Sequence, residues 1–488
     1  MAPEPDTLPP RNVPPEPTPL GSGEPRVALE APARRERRAR VDLTTGSVPK
    51  KLFAQAWPQV VEGVLNIADQ TVDVFWAGRL PAGFRAIASI GVAQTFTQFA
   101  GQARQGFDVS MRAMIARAVG AKNIPLANHV LFQGLVLTGI YSLLMVLVGV
   151  FGTDLFLNLL GASDALRDQT ALYMRIQFIG NATQSFRMAT GTALQASGEP
   201  IVPLRATTAS RLLHVTLSPF LIFGWWIFPE MGLAGSALAT VLAQTVGIAM
   251  NIYALSSGNS RLTLRIRGER VDPALLWRQV KIGAPASVRG TERATSQLAL
   301  LGIVAPFGDD ALAGYSLTRR LEQFANFGSG GLGPASGVMV GQNLGAGHVN
   351  RAKRAIGWAL LYVGAMKGTI IALFWLFPYA AILIFTQDAA AVALTVQWMR
   401  IQLFAAFFQG QMQVLQESYN GAGDTLAPMV NTLVGVWLIE VPAAWYLCTQ
   451  TSLGPLGIGY AAILGFGSRA VTLGIYYFYG RWLRIKVI

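Results

Sequence analysis

The chain has 488 residues, of which 52% are apolar, 10% aromatic and only 13% charged, with a mean hydropathy of +0.40. Soluble domains carry about 25% charged residues, so this composition excludes an ordinary water-soluble globule and points to lipid as the solvent. The formal net charge is +13, and the single cysteine, Cys448, excludes a disulfide framework.

Residues 1–47 are rich in Pro, Glu and Arg and nearly free of apolar clusters, which predicts a disordered cytoplasmic tail. No signal peptide is visible, because the first apolar run begins only after residue 51. The run RRERRAR (34–40) suits anionic lipid headgroups, so membrane lipids are expected partners. Nucleic acid is not, because a folded basic face is lacking.

Apolar segments of about 20 residues, long enough to cross a hydrocarbon core, then recur. They lie near 52–78, 84–110, 126–151, 165–188, 200–224, 232–255, 275–305, 310–340, 354–380, 389–416, 426–448 and 456–481. Only helices satisfy their own backbone hydrogen bonds in lipid. The expected fold is an all-α polytopic membrane protein with about twelve transmembrane helices.

Basic residues gather in alternate connections, around Arg112, Arg117 and Lys122, then Arg261 to Lys281, then Arg351, Lys353 and Arg354, then Arg481, Arg484 and Lys486. The intervening connections favour Asp154, Asp164, Glu230, Asp309, Asp310 and Asp388, with Arg79, Arg85 and Arg167 as exceptions. The positive-inside rule places both termini in the cytoplasm of a cell-membrane protein, which requires an even number of spans.

A shift of 225 positions lays the sequence on itself. YMRIQF (173–178) falls on WMRIQL (398–403), ARAVGA (116–121) on GQNLGA (341–346), AIASIGVAQTFTQF (86–99) on ALAGYSLTRRLEQF (311–324), and Gly198 on Gly423. Six spans separate the copies, so the halves are parallel repeats, a transporter architecture with substrate sites between the repeats. The predicted units are lobes 48–255 and 275–488, joined by a cytoplasmic linker, 256–274. Nothing in this plan requires more than one copy of the chain.

In the first span Gln55, Gln59, Glu62, Asn66, Asp69 and Asp73 follow at steps of 4, 3, 4, 3 and 4, which keeps them on one helical face. A charge at mid-membrane costs about 2.5–3.5 kcal/mol by insertion scales, so this face must meet protein or water. An interhelical glue seam is the alternative, though glue is usually uncharged. Matching rows occur at Gln94, Gln98, Gln102 and Gln105, at Gln177, Asn181 and Gln184, and at Gln402 and Gln409. Together they predict a wet cavity for a small-molecule substrate. Desolvation and mutual repulsion between Asp69 and Asp73 would make them a proton or cation carrier, with Glu62 further along.

Other patterns are bland. GSGGLG (328–333) lies in an apolar helix without a preceding strand and reads as close helix packing. NAT (181–183) lies within a span. His129, His214 and His348 are too scattered for a metal site, and no cofactor is expected.

DVFWAGRLPAGFRAIASIGVAQ (73–94), ARAVGAKNIPLAN (116–128), ASGEPIVPL (196–204), GLAGSALATVLAQ (232–244) and NGAGDTLAPMVNT (420–432) together resemble the multidrug and toxic compound extrusion (MATE) family. The resemblance covers essentially all of 48–485. It implies an efflux antiporter that opens alternately to each side, driven by inward protons or sodium. The family's first-helix acid matches Asp73, five places before Gly78. Many members have L-N-x-x-L-D-P in the fifth helix, where this chain reads LHVTLSP (213–219), with His214 and Ser218 in the Asn and Asp places. Loss of that acid weakens a sodium site, and histidine titrates near neutrality, so protons are favoured over sodium. An acid some members carry in the tenth helix is Gln409 here. Glu292 stands near another such position, beside Arg289 and Arg293.

Further basic residues fall within spans: Arg104, Arg175, Arg211, Arg319, Arg320, Arg400 and Lys367. Pairing with Asp108, Glu292, Glu322, Glu417 or Glu440, or snorkelling, should absorb most of them. The remainder suggests a zwitterionic or anionic amphiphile as substrate. The leading expectation is therefore a secondary active exporter, not an enzyme. A flippase for a lipid-linked head group is the alternative on the same fold, and a membrane-embedded transferase is weaker, since no nucleophile or metal motif is present.

Overall fold

The computed structural model describes residues 42–80, 83–159, 164–265, 267–325, 329–382, 389–485 and 487. The RRERRAR run lies outside them, as do the side chains of Gln94, Gln98 and Arg320. The described residues form helices without a strand. The first lobe contains α1 (Val48–Ala77), α2 (Gly83–Gly120), α3 (Ile124–Leu159), α4 (Asp164–Ala196), α5 (Ile201–Phe223) and α6 (Leu233–Ser256). The second contains α7 (Pro273–Val304), α8 (Asp309–Ala325), α9 (Ser329–Gly345), α10 (Val349–Leu376), the short α11 (Pro378–Ile382), α12 (Ala389–Ala422), α13 (Leu426–Val434), a π-helical turn (Gly435–Glu440), α14 (Val441–Thr449) and α15 (Gly457–Tyr479). The segment read as one span at 310–340 is thus covered by α8 and α9.

The repeat seen in the sequence governs the helix boundaries. Shifted by 225, the first residues of α1, α3, α4 and α5 become Pro273, Val349, Ala389 and Leu426, the first residues of α7, α10, α12 and α13. Gly198 and Gly423 take positive φ of 92° and 90° and end α4 and α12 in the same way. Glu199 N donates to Leu194 O at 2.9 Å, and Asp424 N to Tyr419 O at 2.8 Å, the six-to-one bond of a helix whose next residue is left-handed. At the start of α7 the Asp272 carboxylate accepts from Ala274 N and Leu275 N, satisfying donors that the first turn leaves free.

Among the described residues, five helical segments are long and apolar enough to cross a membrane on composition alone. The others carry polar residues that the bundle buries. Outward faces expose Phe151, Leu155, Leu438 and Phe478, as a lipid-facing surface should.

The lobes meet at the end where Leu43 and Ile485 accept hydrogen bonds from Asn343 and Arg117. α2 packs on α7 and α9, and α1 packs on α9, whereas α1 and α7 make at most marginal contact. Glycines set the crossings: a Cβ on Gly283 would stand 2.6 Å from Gly106 O, and one on Gly341 2.8 Å from Ala116 Cβ. Gly120 and Gly345, 225 apart, lie against the backbone oxygens of Gln342 and Arg117. Arg117 Nη2 donates to Ala422 O at 3.0 Å, Gln342 Nε2 to Ala196 O at 2.7 Å, and Arg112 pairs with Glu417 at 3.1 Å.

One boundary needs correction. Residues 42–47 do not behave as tail: Leu43 is fully buried with α1, α9 and α10. Arg351 donates to the carbonyls of Leu43, Thr45 and Gly46 at 3.1, 2.6 and 2.6 Å. A single buried leucine and backbone acceptors suffice to fix a segment whose composition reads as disordered. The polar stretch between the lobes packs as well: Glu199 accepts from Ser260 Oγ at 2.6 Å and Arg261 N at 2.8 Å, and Leu262 is buried.

Candidate functional site

The polar face of α1 turns inward as its spacing requires. Gln55, Gln59 and Asp69 are buried, and Glu62, Asn66 and Asp73 are partly so. What it meets differs from the expectation of two repelling carboxylates. α5 brings Arg211 and His214, one turn apart, against α1. Arg211 Nη1 donates to Asp69 Oδ2, and its Nη2 and Nε donate to Asn66 Oδ1 at 2.9 and 3.3 Å. His214, fully buried, places Nδ1 2.7 Å from Asp69 Oδ1 and Nε2 3.3 Å from Asp73 Oδ1. From α6, Ser236 Oγ donates to Asp73 Oδ1 at 2.6 Å, and Thr240 Oγ1 lies 3.0 Å from His214 Nε2. The imidazole therefore bridges the two acids.

Charge counting gives this cluster its chemistry. Two carboxylates and one guanidinium sum to minus one, and an imidazolium restores neutrality. A protonated ring donates from both nitrogens, matching an acid on each side. A neutral ring leaves one carboxylate without its donor in a poorly hydrated place, which is costly. Asp69 already accepts from a guanidinium and an imidazole, so a hard cation, which wants several oxygens, would have to displace one of them. No group of three or more His, Cys, Asp or Glu able to hold a metal occurs among the described residues.

The remaining predicted residues with described side chains lie in several places. Glu62 Oε2 accepts from Gln195 Nε2 at 3.1 Å, while its buried Oε1 has no partner among the described residues. Gln59 donates to Gln55 O at 3.0 Å, a bond internal to α1. Gln102 abuts Gly290 at the lobe contact. Gln177 donates to Tyr173 Oη at 2.8 Å, Asn181 accepts from Ser185 Oγ at its own carbonyl, and Gln184 is exposed. The Gln98 side chain lies outside the described residues. Gln402 lines a small hollow with Thr318, Glu322 and Phe374. Arg289, Glu292 and Gln409 share a larger cavity inside the second lobe with Arg293, Arg319, Glu440 and Arg469.

Most intramembrane bases are paired. Arg104 meets Asp108 at 2.5 Å, Arg175 meets Asp154 at 2.8 Å, Arg319 meets Glu322 at 2.9 Å and Arg469 meets Glu440 at 2.5 Å. Sequence reasoning missed Ser236, Thr240, Gln195 and the pairing of Arg211 with Asp69. The four-residue step from Ser236 to Thr240 and the three-residue step from Arg211 to His214 were the available signals.

A model of the family described as MatE matches residues 58–220 and 293–446. The chain is 26% identical over 453 residues to "Probable multidrug resistance protein YpnP" of Bacillus subtilis strain 168, covering 91% of this chain and 98% of the relative. It is 24% identical to a NorM of Thermotoga maritima with the same designation, covering 90% and 94%. Among solved structures it matches an outward-facing multidrug resistance MATE family transporter of the MOP superfamily. The TM-score is 0.83 at 18% identity, covering 91% of this chain and 99% of that one.

Proposed function

Because the chain belongs to the MATE family of multi-pass membrane transporters, we propose that it is a secondary active efflux antiporter that exchanges amphiphilic small molecules for inward protons. The observation that carries this reading is His214 held between Asp69 and Asp73. Loading one proton makes the buried cluster neutral, and losing it leaves a net charge. The free energy of closing the lobes over the cluster then depends on protonation, which is the differential interaction that coupling requires.

Access to the two sides follows from the lobe contacts. The inter-lobe hydrogen bonds and glycine crossings run from the end bearing Leu43 and Ile485 to the middle of α2, where Gln102 meets Gly290, while α1 and α7 hardly touch. With both termini cytoplasmic, by the distribution of Lys and Arg, this closed end faces the cytoplasm and the cleft between the lobes faces outward. Breaking the crossings and bringing α1 to α7 would give the opposite state.

The test is dye transport in proteoliposomes with pH and sodium gradients imposed separately. A pH gradient should drive accumulation, and Asp73→Asn should abolish it. Uptake driven by sodium alone, or an unchanged Asp73→Asn variant, would overturn proton coupling.

A further inference from the structure

We infer that the cavity inside the second lobe is a subsite for the acidic head group of an anionic amphiphile. This rests on the exporter reading above and adds the substrate class. The cavity holds about 70 Å³, room for a head group, and is open to solvent on one side. Its polar wall is made by Arg289, Glu292 and Arg293 of α7, Arg319 of α8, Glu440 of the π-helical turn and Arg469 of α15.

The charges do not cancel. Arg469 is committed to Glu440 at 2.5 Å, Arg319 to Glu322 at 2.9 Å, and Arg112 to Glu417 at 3.1 Å. Arg289 reaches Glu417 only at 3.7 Å, and its buried Nη1 has no partner among the described residues. Removing these three pairs leaves Arg289 and Arg293 against Glu292, a surplus of one positive charge. A carboxylate, sulfonate or phosphate would neutralise it, and guanidinium groups hold such anions in a fork. Glu292 Oε1, buried and also without a partner among the described residues, would accept from a hydroxyl or amide of the same ligand. Leu300, Met412, Val436 and Phe466 supply an apolar wall for its body.

The site is built rather than incidental. The π-helical turn Gly435–Glu440 places both Val436 and Glu440 on the cavity, and such turns recur at functional sites. Glycines make room for the ion pair: a Cβ on Gly465 would stand 2.6 Å from Glu440 Oε2, and one on Gly435 2.7 Å from Arg469 Cδ. The first-lobe cluster is different in kind, since it lacks one positive charge and takes a proton. The proton and the anion therefore have separate seats, one in each lobe.

Two probes test this, Lucifer yellow, a disulfonated dye, and ethidium, a cation. Binding to the detergent-purified protein is read by fluorescence anisotropy and transport by counterflow in proteoliposomes. Lucifer yellow should bind and be carried, and Arg293→Gln, which removes one of the cavity's charges, should raise its Kd and KM about tenfold. Arg293→Glu should abolish its binding and improve that of ethidium. Ethidium carried by a protein that does not bind Lucifer yellow, or an Arg293→Gln variant with unchanged Kd, would overturn the inference while leaving export intact. Arg293-sensitive binding of Lucifer yellow with no transport of either dye would support the site and overturn the exporter.

Discussion

Neutralising Asp69 should cost more stability than any other conservative change on α1. Its carboxylate accepts from Arg211 Nη1 and from His214 Nδ1, and the Arg211 side chain is 11% exposed. Asp69→Asn leaves that guanidinium buried without its counter-charge. Breaking a buried pair in this way costs about 3–5 kcal/mol. Asn66 still accepts two bonds from Arg211, which places the expected loss near the lower bound, about 3 kcal/mol. Arg211→Gln leaves Asp69 with His214 and should cost about 2 kcal/mol, within the usual range for a charged hydrogen bond. The double variant should then cost about 3 kcal/mol rather than the sum, a coupling of about 2 kcal/mol between contacting residues. The assay is a double-mutant cycle by reversible unfolding in mixed detergent micelles. Costs that add to within about 0.5 kcal/mol would refute the pairing and with it the charge count of the cluster.

Cysteines at Ala116 and Gly341, whose Cβ positions lie 2.8 Å apart, should form a disulfide once the crossing parts by about 1 Å, to the usual Cβ spacing of about 3.5–4.5 Å. Oxidation should stop transport and reduction restore it; undiminished transport by the cross-linked protein would show that the crossing does not open. Arg351→Ala removes three donors to the carbonyls of residues 42–47 and should speed proteolysis within 42–47 several-fold at unchanged core stability, as measured by limited proteinase K digestion. Burial pushes the Asp42 carboxyl up, but hydrogen bonds from Thr44 and Thr45 and the charge of Arg261 outweigh it and hold it below the ordinary value. A depressed carboxyl stabilises the fold above its unfolded value and loses that contribution as pH falls through the folded value. Hydrogen exchange at Thr44, corrected for intrinsic rates, should therefore accelerate below about pH 4 and stay flat above pH 5.

The span pattern, the duplication and the inward face of α1 were legible because each is a periodicity, and lipid enforces periodicity strictly. The 225-residue shift carries four helix starts and both positive-φ glycines Gly198 and Gly423 to their counterparts. Partners were not legible. Periodicity fixes which face Asp69 occupies on α1 but not which helix lies opposite, so Arg211 read as a loose base and Asp69 as half of a repelling pair. Likewise the glutamine rows share a face each, yet the lobes carry them to different places: Gln402 to one hollow, Gln409 to another, Gln102 to the lobe contact. Residues 42–47 were misread because one buried leucine and one arginine reaching for carbonyls leave little trace in composition.

The central claim is that the proton binding His214 between two acids is the one that drives export. Proton flux and dye flux should be followed together in proteoliposomes bearing the wild type and His214→Gln, which keeps a hydrogen-bonding side chain but cannot carry charge. The variant should retain dye counterflow without a gradient while losing pH-driven accumulation and dye-induced proton movement. Proton movement at the wild-type ratio to dye in His214→Gln would contradict the account.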